Sequence, residues 1–294
     1  MAVGEAEQSC NLFGTNRVKA NVIFHFHADD ERFTVARPPL ARVIAVLRYP
    51  LIAAFSELGG LRSIQAALGQ SFPDLAPAHA TQIEVTLGPN ILHQQQTAEN
   101  QWLFRGHPEG YELTIAPGWL QIAVPGPSYR NREQFSSVLE QVLQAFSQSG
   151  QISRFDVFAV RYINAALAEP GWSQRWNPAV VGWIADERVA AQQRFSMTQT
   201  TLTNGIVQLE DGQQIISNAI VRHGLVPGLG PDLLLGATSM PAFVVDCELQ
   251  MQQTMAFDIP TILRLFREYN HEMARFFDFA LSEQGRAHFG MEAV

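Results

Sequence analysis

Val46-Leu47-Arg48-Tyr49 and, much later, Ala159-Val160-Arg161-Tyr162 are one strand ending written twice. Around the first, residues 41–49 carry Val43, Ala45 and Leu47 on one side and Ile44 and Val46 on the other. Side chains alternate along a strand, so this one is expected to be buried on both faces for most of its length. Around the second, residues 152–163 repeat the composition and run on to Asn164. A chain that places the same apolar strand with an embedded arginine at the head of each half reads as an internal duplication.

Working outward from the first strand, Leu61, Ile64, Leu68 and Phe72 follow Gly59-Gly60 at helical steps, and Pro73 stops the run. Strand-like stretches cover residues 82–87, 110–115 and 119–124, with Pro117-Gly118 as the turn between the last two. Asn131 and Gln134 read as a capping box. They open a helix whose stripe is Phe135, Val138, Leu139, Val142, Leu143 and Phe146, ended by Gly150. From the second strand, a tryptophan-rich segment (Trp172, Trp176, Trp183) leads to strands at 194–202, 206–209 and 213–216, the last two flanking the hairpin signal Asp211-Gly212. A Gly/Pro loop at 224–231, a strand at 242–249 and a helix starting near Asp258 and Pro260 complete the set, with Gly285 as its stop.

Each half thus reads strand, helix, three or more strands, helix. The expected fold is α+β: two related β-α-β-β-β-α halves forming a curved antiparallel sheet with helices packed on one face. The divisions are residues 1–36, an N-terminal extension with a short strand at 18–27; residues 37–150, the first half; and residues 151–290, the second. In topology this is similar to the duplicated TATA-binding-protein-like and helix-grip modules, a likeness that carries no function.

Specific residues resemble a family. Pro38-Pro39-Leu40, Val43 and Leu47-Arg48-Tyr49, then Phe72-Pro73, Tyr129, Arg161-Tyr162-Ile163-Asn164 and Val244-Val245-Asp246 before a long amphipathic helix look like a sporadically distributed family of uncharacterised bacterial proteins of about 250 residues. The resemblance covers residues 37–290 and implies an accessory protein of a sporadically distributed bacterial system. It brings no activity and no catalytic residue with it.

Composition narrows the function classes. Hydrophobic residues are 47% and charged residues 16% of the chain, enough apolar material for a substantial core. The net charge is −8, from 20 Lys plus Arg against 28 Asp plus Glu, and no run of three basic residues occurs. Phosphate-backbone binding needs clustered cations, so nucleic acid is disfavoured as a partner. Two distant cysteines, Cys10 and Cys247, do not make a secreted disulfide framework. No stretch is apolar enough to span a membrane, and the N-terminus lacks a signal-peptide core, so a cytoplasmic location is expected.

Among motifs with possible chemistry, His25, His27 and Asp29 point one way along a strand and could converge on a metal. The string resembles the His-x-His-x-Asp-His element of metallo-β-lactamase-like hydrolases, with Asp30 where the last histidine belongs. His79, His93 and His107 stand in no matching context downstream, and the plain reading is a solvated strand end. His271-Glu272 lacks the second histidine of a zinc-protease helix, because position 275 is Arg; it is expected on a polar face with Glu268 and Arg275. No Gly-x-Ser-x-Gly elbow or phosphate-binding loop occurs, and no cofactor is implied. The tryptophans are expected in the core, with an aromatic anchor for a partner as the alternative.

The remaining candidates are Arg48, Tyr49, Arg161, Tyr162 and Asn164, with Asp246 and Glu248 as carboxylate partners. An arginine in an apolar strand must be paired or reach solvent. Either these groups clamp neighbouring strands, or the Arg and Asn side chains grip an anionic or planar ligand. The function expected is a non-catalytic binding module for a protein partner or a small anionic ligand, the alternative being a metal-dependent hydrolase built on the His25 region.

Overall fold

The computed structural model describes residues 23–24, 33–87, 92–106, 110–150, 152–185, 196–227 and 240–293. Strands are β1 Phe33–Val35, β2 Leu40–Arg48, β3 Asp74–Leu87, β4 Leu92–Arg105, β5 Glu112–Ala116, β6 Trp119–Pro125, β7 Arg154–Leu167, β8 Ser196–Gln208, β9 Gln214–Pro227, β10 Pro241–Ala256 and β11 Met291–Ala293. Helices are α1 Arg62–Leu68, α2 Arg132–Ser149, α3 Pro178–Val181, α4 Ile259–Ala280 and α5 Glu283–Phe289.

Nine strands form one open sheet in the order β3-β4-β5-β6-β2-β7-β10-β9-β8, every pair antiparallel. Outward from the β2–β7 seam the two sides match: the first strand of each half is central, the last strand of its meander lies beside it, and earlier strands step to the edge. The first half has one strand more. A second, two-stranded sheet pairs β1 with β11.

The helices pack on one face. The α2 stripe of Phe135, Leu139, Val142, Leu143 and Phe146 is buried together with Val43, Ala45 and Leu47 of β2, Phe158 and Val160 of β7, and Ile262, Leu265, Phe266 and Tyr269 of α4. Phe135 and Phe266 stack with centroids 5.3 Å apart, so the two long helices meet over the seam. The expected caps form: Asn131 accepts from Gln134 N at 2.8 Å, Gly150 takes φ 65°, and Asp258 accepts from Thr261 N at 2.9 Å. On the other face a smaller cluster of Ala41, Ile44, Ala123, Ile163, Ala165 and Val244 covers the centre.

Several expectations need correction. The strands expected at 194–202 and 206–209 are not separate where they are described: β8, Ser196–Gln208, runs continuously through residues 196–202 and 206–208, with an irregular register between Leu202 and Gly205 where Asn204 takes φ 61°. The loop expected at 224–231 does not start at Gly224: residues 224–227 belong to β9, where a Cβ on Gly224 would sit 1.9 Å from Ser196 O of β8, and residues 228–231 lie outside the described residues. Gly285 does not end the long helix. That helix stops at Ala280, Ser282 caps α5, and Gly285 lies inside α5, its Cα so close to Arg175 O that a Cβ would be 1.8 Å away. Of the three tryptophans expected in the core, only two are there. Trp172 and Trp176 pack on Phe243 at 4.7 and 5.3 Å, while Trp183 is 68% exposed. Of the strand expected at 18–27, only Ile23 and Phe24 are described, and they form a bend.

Candidate functional site

The alternation of β7 sorts the candidate residues onto two faces. Arg161 lies opposite Ile44 of β2 and Glu248 of β10, on the helix-free side. Tyr162 lies opposite Val43 and Cys247, among the helices. Arg161 and Asn164 therefore cannot grip one ligand together, because residues an odd number of positions apart point to opposite faces of a strand.

On the helix-free face the arginines meet carboxylates. Arg161 donates Nε to Asp246 Oδ1 at 2.8 Å and Nη2 to Oδ2 at 2.7 Å, a two-pronged contact. From β9, Arg222 Nη1 reaches Asp246 Oδ2 at 3.3 Å and Glu248 Oε2 at 3.1 Å, and its Nε donates to Gln199 Oε1 of β8 at 3.1 Å. This network ties β7, β10, β9 and β8 across their strands. In the first half, Arg42 Nη2 donates to Glu112 Oε2 at 2.6 Å. Burial is uneven: the Asp246 side chain is 5% exposed, that of Arg161 36%. Arg48 is exposed at the end of β2, opposite Val157 and Trp119.

The helix-side residues build structure. Tyr49 donates its hydroxyl to the carbonyls of Ala116 (2.8 Å) and Trp119 (3.0 Å), closing over the Pro117-Gly118 turn. The Tyr162 hydroxyl lies 3.0 Å from that of Tyr129 and accepts from Asn270 Nδ2 of α4. Burial drives the Tyr162 phenol well above its ordinary range. Asn164 is buried on the same side.

Glu272 corrects another expectation: it is not on a polar face. Its side chain is 2% exposed; Oε2 accepts from Phe24 N at 3.4 Å and Oε1 from Arg275 Nη1 at 3.2 Å. Phe24 stacks on Phe276 at 5.0 Å, so this residue of the N-terminal extension is seated on α4. Burial raises the Glu272 carboxyl above its ordinary value, against the opposing pull of the Phe24 amide and Arg275.

His25, His27, Asp29, Asp30 and His107 lie outside the described residues, as do the side chains of His79 and His93. Among the described residues no group of three or more His, Cys, Asp or Glu is placed to hold a metal, and no helix is long and apolar enough to cross a membrane. Arg42, Arg222 and Gln199 were missed as members of the charged face. Arg42 had the same signal as Arg48, a cation in an apolar strand, and Arg222 fell next to a segment read as loop. Compared with known proteins, the chain matches no family model and no curated protein.

Two predictions follow from this geometry. Asp246 is shared by two guanidiniums, so either arginine alone still partners it. Arg161→Ala is expected to cost about 1–3 kcal/mol, less than the ~3–5 kcal/mol of a fully buried pair because Arg161 is partly solvated. Arg161→Ala with Arg222→Ala should cost more than the sum of the singles, since only the double change strands the buried carboxylate. Urea melts measure this; additivity within about 0.5 kcal/mol contradicts it.

Glu272 sets a pH dependence. Its folded-state pKa is raised above the ordinary value of 4.5, so its stabilising contribution is complete below that value and is lost as pH rises through the folded-state pKa. Glu272→Gln, which mimics the neutral acid, should match wild type in acid and exceed it increasingly as pH rises through the folded-state pKa. A melting-temperature difference that does not change with pH contradicts the assignment.

Proposed function

We propose that the protein is a non-catalytic protein-binding module whose contact surface is the helix-free face of the nine-stranded sheet. The observation that carries this reading is the state of the arginines. Nε and Nη2 of Arg161 and Nε and Nη1 of Arg222 are already committed to Asp246, Glu248 and Gln199. A small anion would have to displace a two-pronged carboxylate, whereas a protein surface can lie over a network whose charges already satisfy one another. On the same face, six positions along β9 from Arg222, Ile206 and Ile216 face each other across β8 and β9 and stay 40% and 56% exposed. A face that carries both paired charges and exposed aliphatic area suits a protein partner. The reading also places the chain in the cytoplasm, where a free thiol such as buried Cys247 persists, and as an accessory protein of a bacterial system, which is what the resemblance of its strand endings implies.

Native protein recovered from the cells that make it should retain a protein partner identifiable by mass spectrometry. Ile216→Arg with Gln250→Arg, both on the helix-free face, should reduce that partner at least about tenfold. Glu140→Arg, on the exposed side of α2, should leave it in place. Retention equal in all three forms overturns the assignment of the face, and a wild-type protein that retains nothing overturns the reading.

A further inference from the structure

The sheet has two edges, and the chain treats them differently. The β3 edge carries Asp74, Pro77 and Glu84, and charges and proline are the usual means of blocking strand addition. The β8 edge has none. Its thirteen residues, Ser196–Gln208, contain no charged residue and no proline, and Thr198, Thr200, Thr201 and Thr203 give it high strand propensity. Met197 through Asn204 are all exposed, with Met197 at 48% and Leu202 at 40%. The register break between Leu202 and Gly205 limits the regular ladder, and among the described residues no strand pairs with the outer edge of Ser196 to Leu202, which leaves a row of backbone donors and acceptors there.

We propose that this edge pairs with the same edge of a second copy of the chain, antiparallel, making a twofold dimer with one continuous sheet. An uncharged edge is compatible with its own image. The chain as a whole carries −8 and repels its own copy, yet the β8 edge sets no charge against its own image, where like charges directly opposite would be destabilising. The guarded β3 edge selects the stoichiometry: with one open edge per chain, pairing closes at two copies instead of growing into a filament. Antiparallel edges are related by an axis perpendicular to the sheet, so both helix layers lie on one side and both helix-free faces on the other. The dimer thus presents two copies of the proposed binding face side by side.

Sedimentation velocity over a concentration series tests this on the full chain. Wild type should shift with concentration from the 32.7 kDa monomer to twice that mass. Thr198→Lys with Thr200→Lys, both on the helix side of β8 and so clear of the helix-free face, should weaken the dimer at least about tenfold. Hydrogen exchange of wild type supplies a second readout independent of any variant: the amides among residues 196–202 that point away from β9 should lose protection on dilution while those of β10 keep theirs. A wild-type chain that stays monomeric throughout overturns the proposal, including the case in which the edge instead accepts an extended segment of another protein. A dimer indifferent to the lysines, or β8 protection that ignores dilution, overturns it as well. Neither result bears on the partner-retention experiment, which reads the other surface.

Discussion

The ladder between β2 and β7 is the contact on which the rest of the structure depends. It runs from Leu40 opposite Asn164 to Arg48 opposite Val157, with one irregularity near Leu40, and among the described residues it is the only direct strand pairing between the two halves. Because each half starts at this seam and builds outward, its long helix returns over its own central strands. The two helices then meet above the seam, where Phe135 and Phe266 stack. One continuous core results, holding side chains from both halves. Within it Tyr162 of β7 holds Tyr129 before α2 and Asn270 of α4 at a single hydroxyl, so a strand and both helix systems share one buried polar contact. A buried polar group needs partners, and three elements must be in place before this one has them.

Helices on one face leave the other to be reconciled with water. At the centre, where strands are flanked on both sides, small and branched apolar residues cover one another. Toward the β8 edge the solution is ionic: alternate positions on β7, β9 and β10 hold Arg161, Arg222, Asp246 and Glu248, which neutralise one another in two opposite pairs. A buried Asp246 is tolerable only because two guanidiniums and their solvent-facing surfaces surround it. Structural clamping and partner binding are therefore not rival descriptions of these residues. A face whose charges are already satisfied is both a stable sheet surface and one that another protein can cover without stranding a charge.

Most of this architecture was legible in the sequence because periodicity carries it. The duplicated Arg-Tyr strand endings marked the central pair, the stripe from Phe135 to Phe146 marked α2, and Pro117-Gly118 and Asp211-Gly212 marked turns that Tyr49 and a Gly212 φ of 86° now explain. Other features carried no periodic signal. β4 begins with a glutamine-rich run that has no apolar alternation, and β8 continues through Asn204, a residue type usually found in turns. Gly285 looked like a helix stop, but what it satisfies is a close approach to Arg175 that only the folded chain creates. Glu272 looked solvated because its burial comes from Phe24, distant in sequence. The separation of Arg161 from Tyr162 and Asn164 was readable from strand alternation; grouping the three by proximity in sequence obscured it.

If the β2–β7 seam makes the halves one cooperative body, the chain must unfold in a single step despite its length. Differential scanning calorimetry under reversible conditions decides this, because a two-state transition has equal calorimetric and van't Hoff enthalpies. The account predicts one endotherm with a ratio near unity, and predicts that Val160→Asp, which places a charge on β7 inside the core, lowers the melting of the whole peak. Two resolved transitions, or a variant that shifts only part of the heat absorbed, would contradict the claim that the seam holds one structure together.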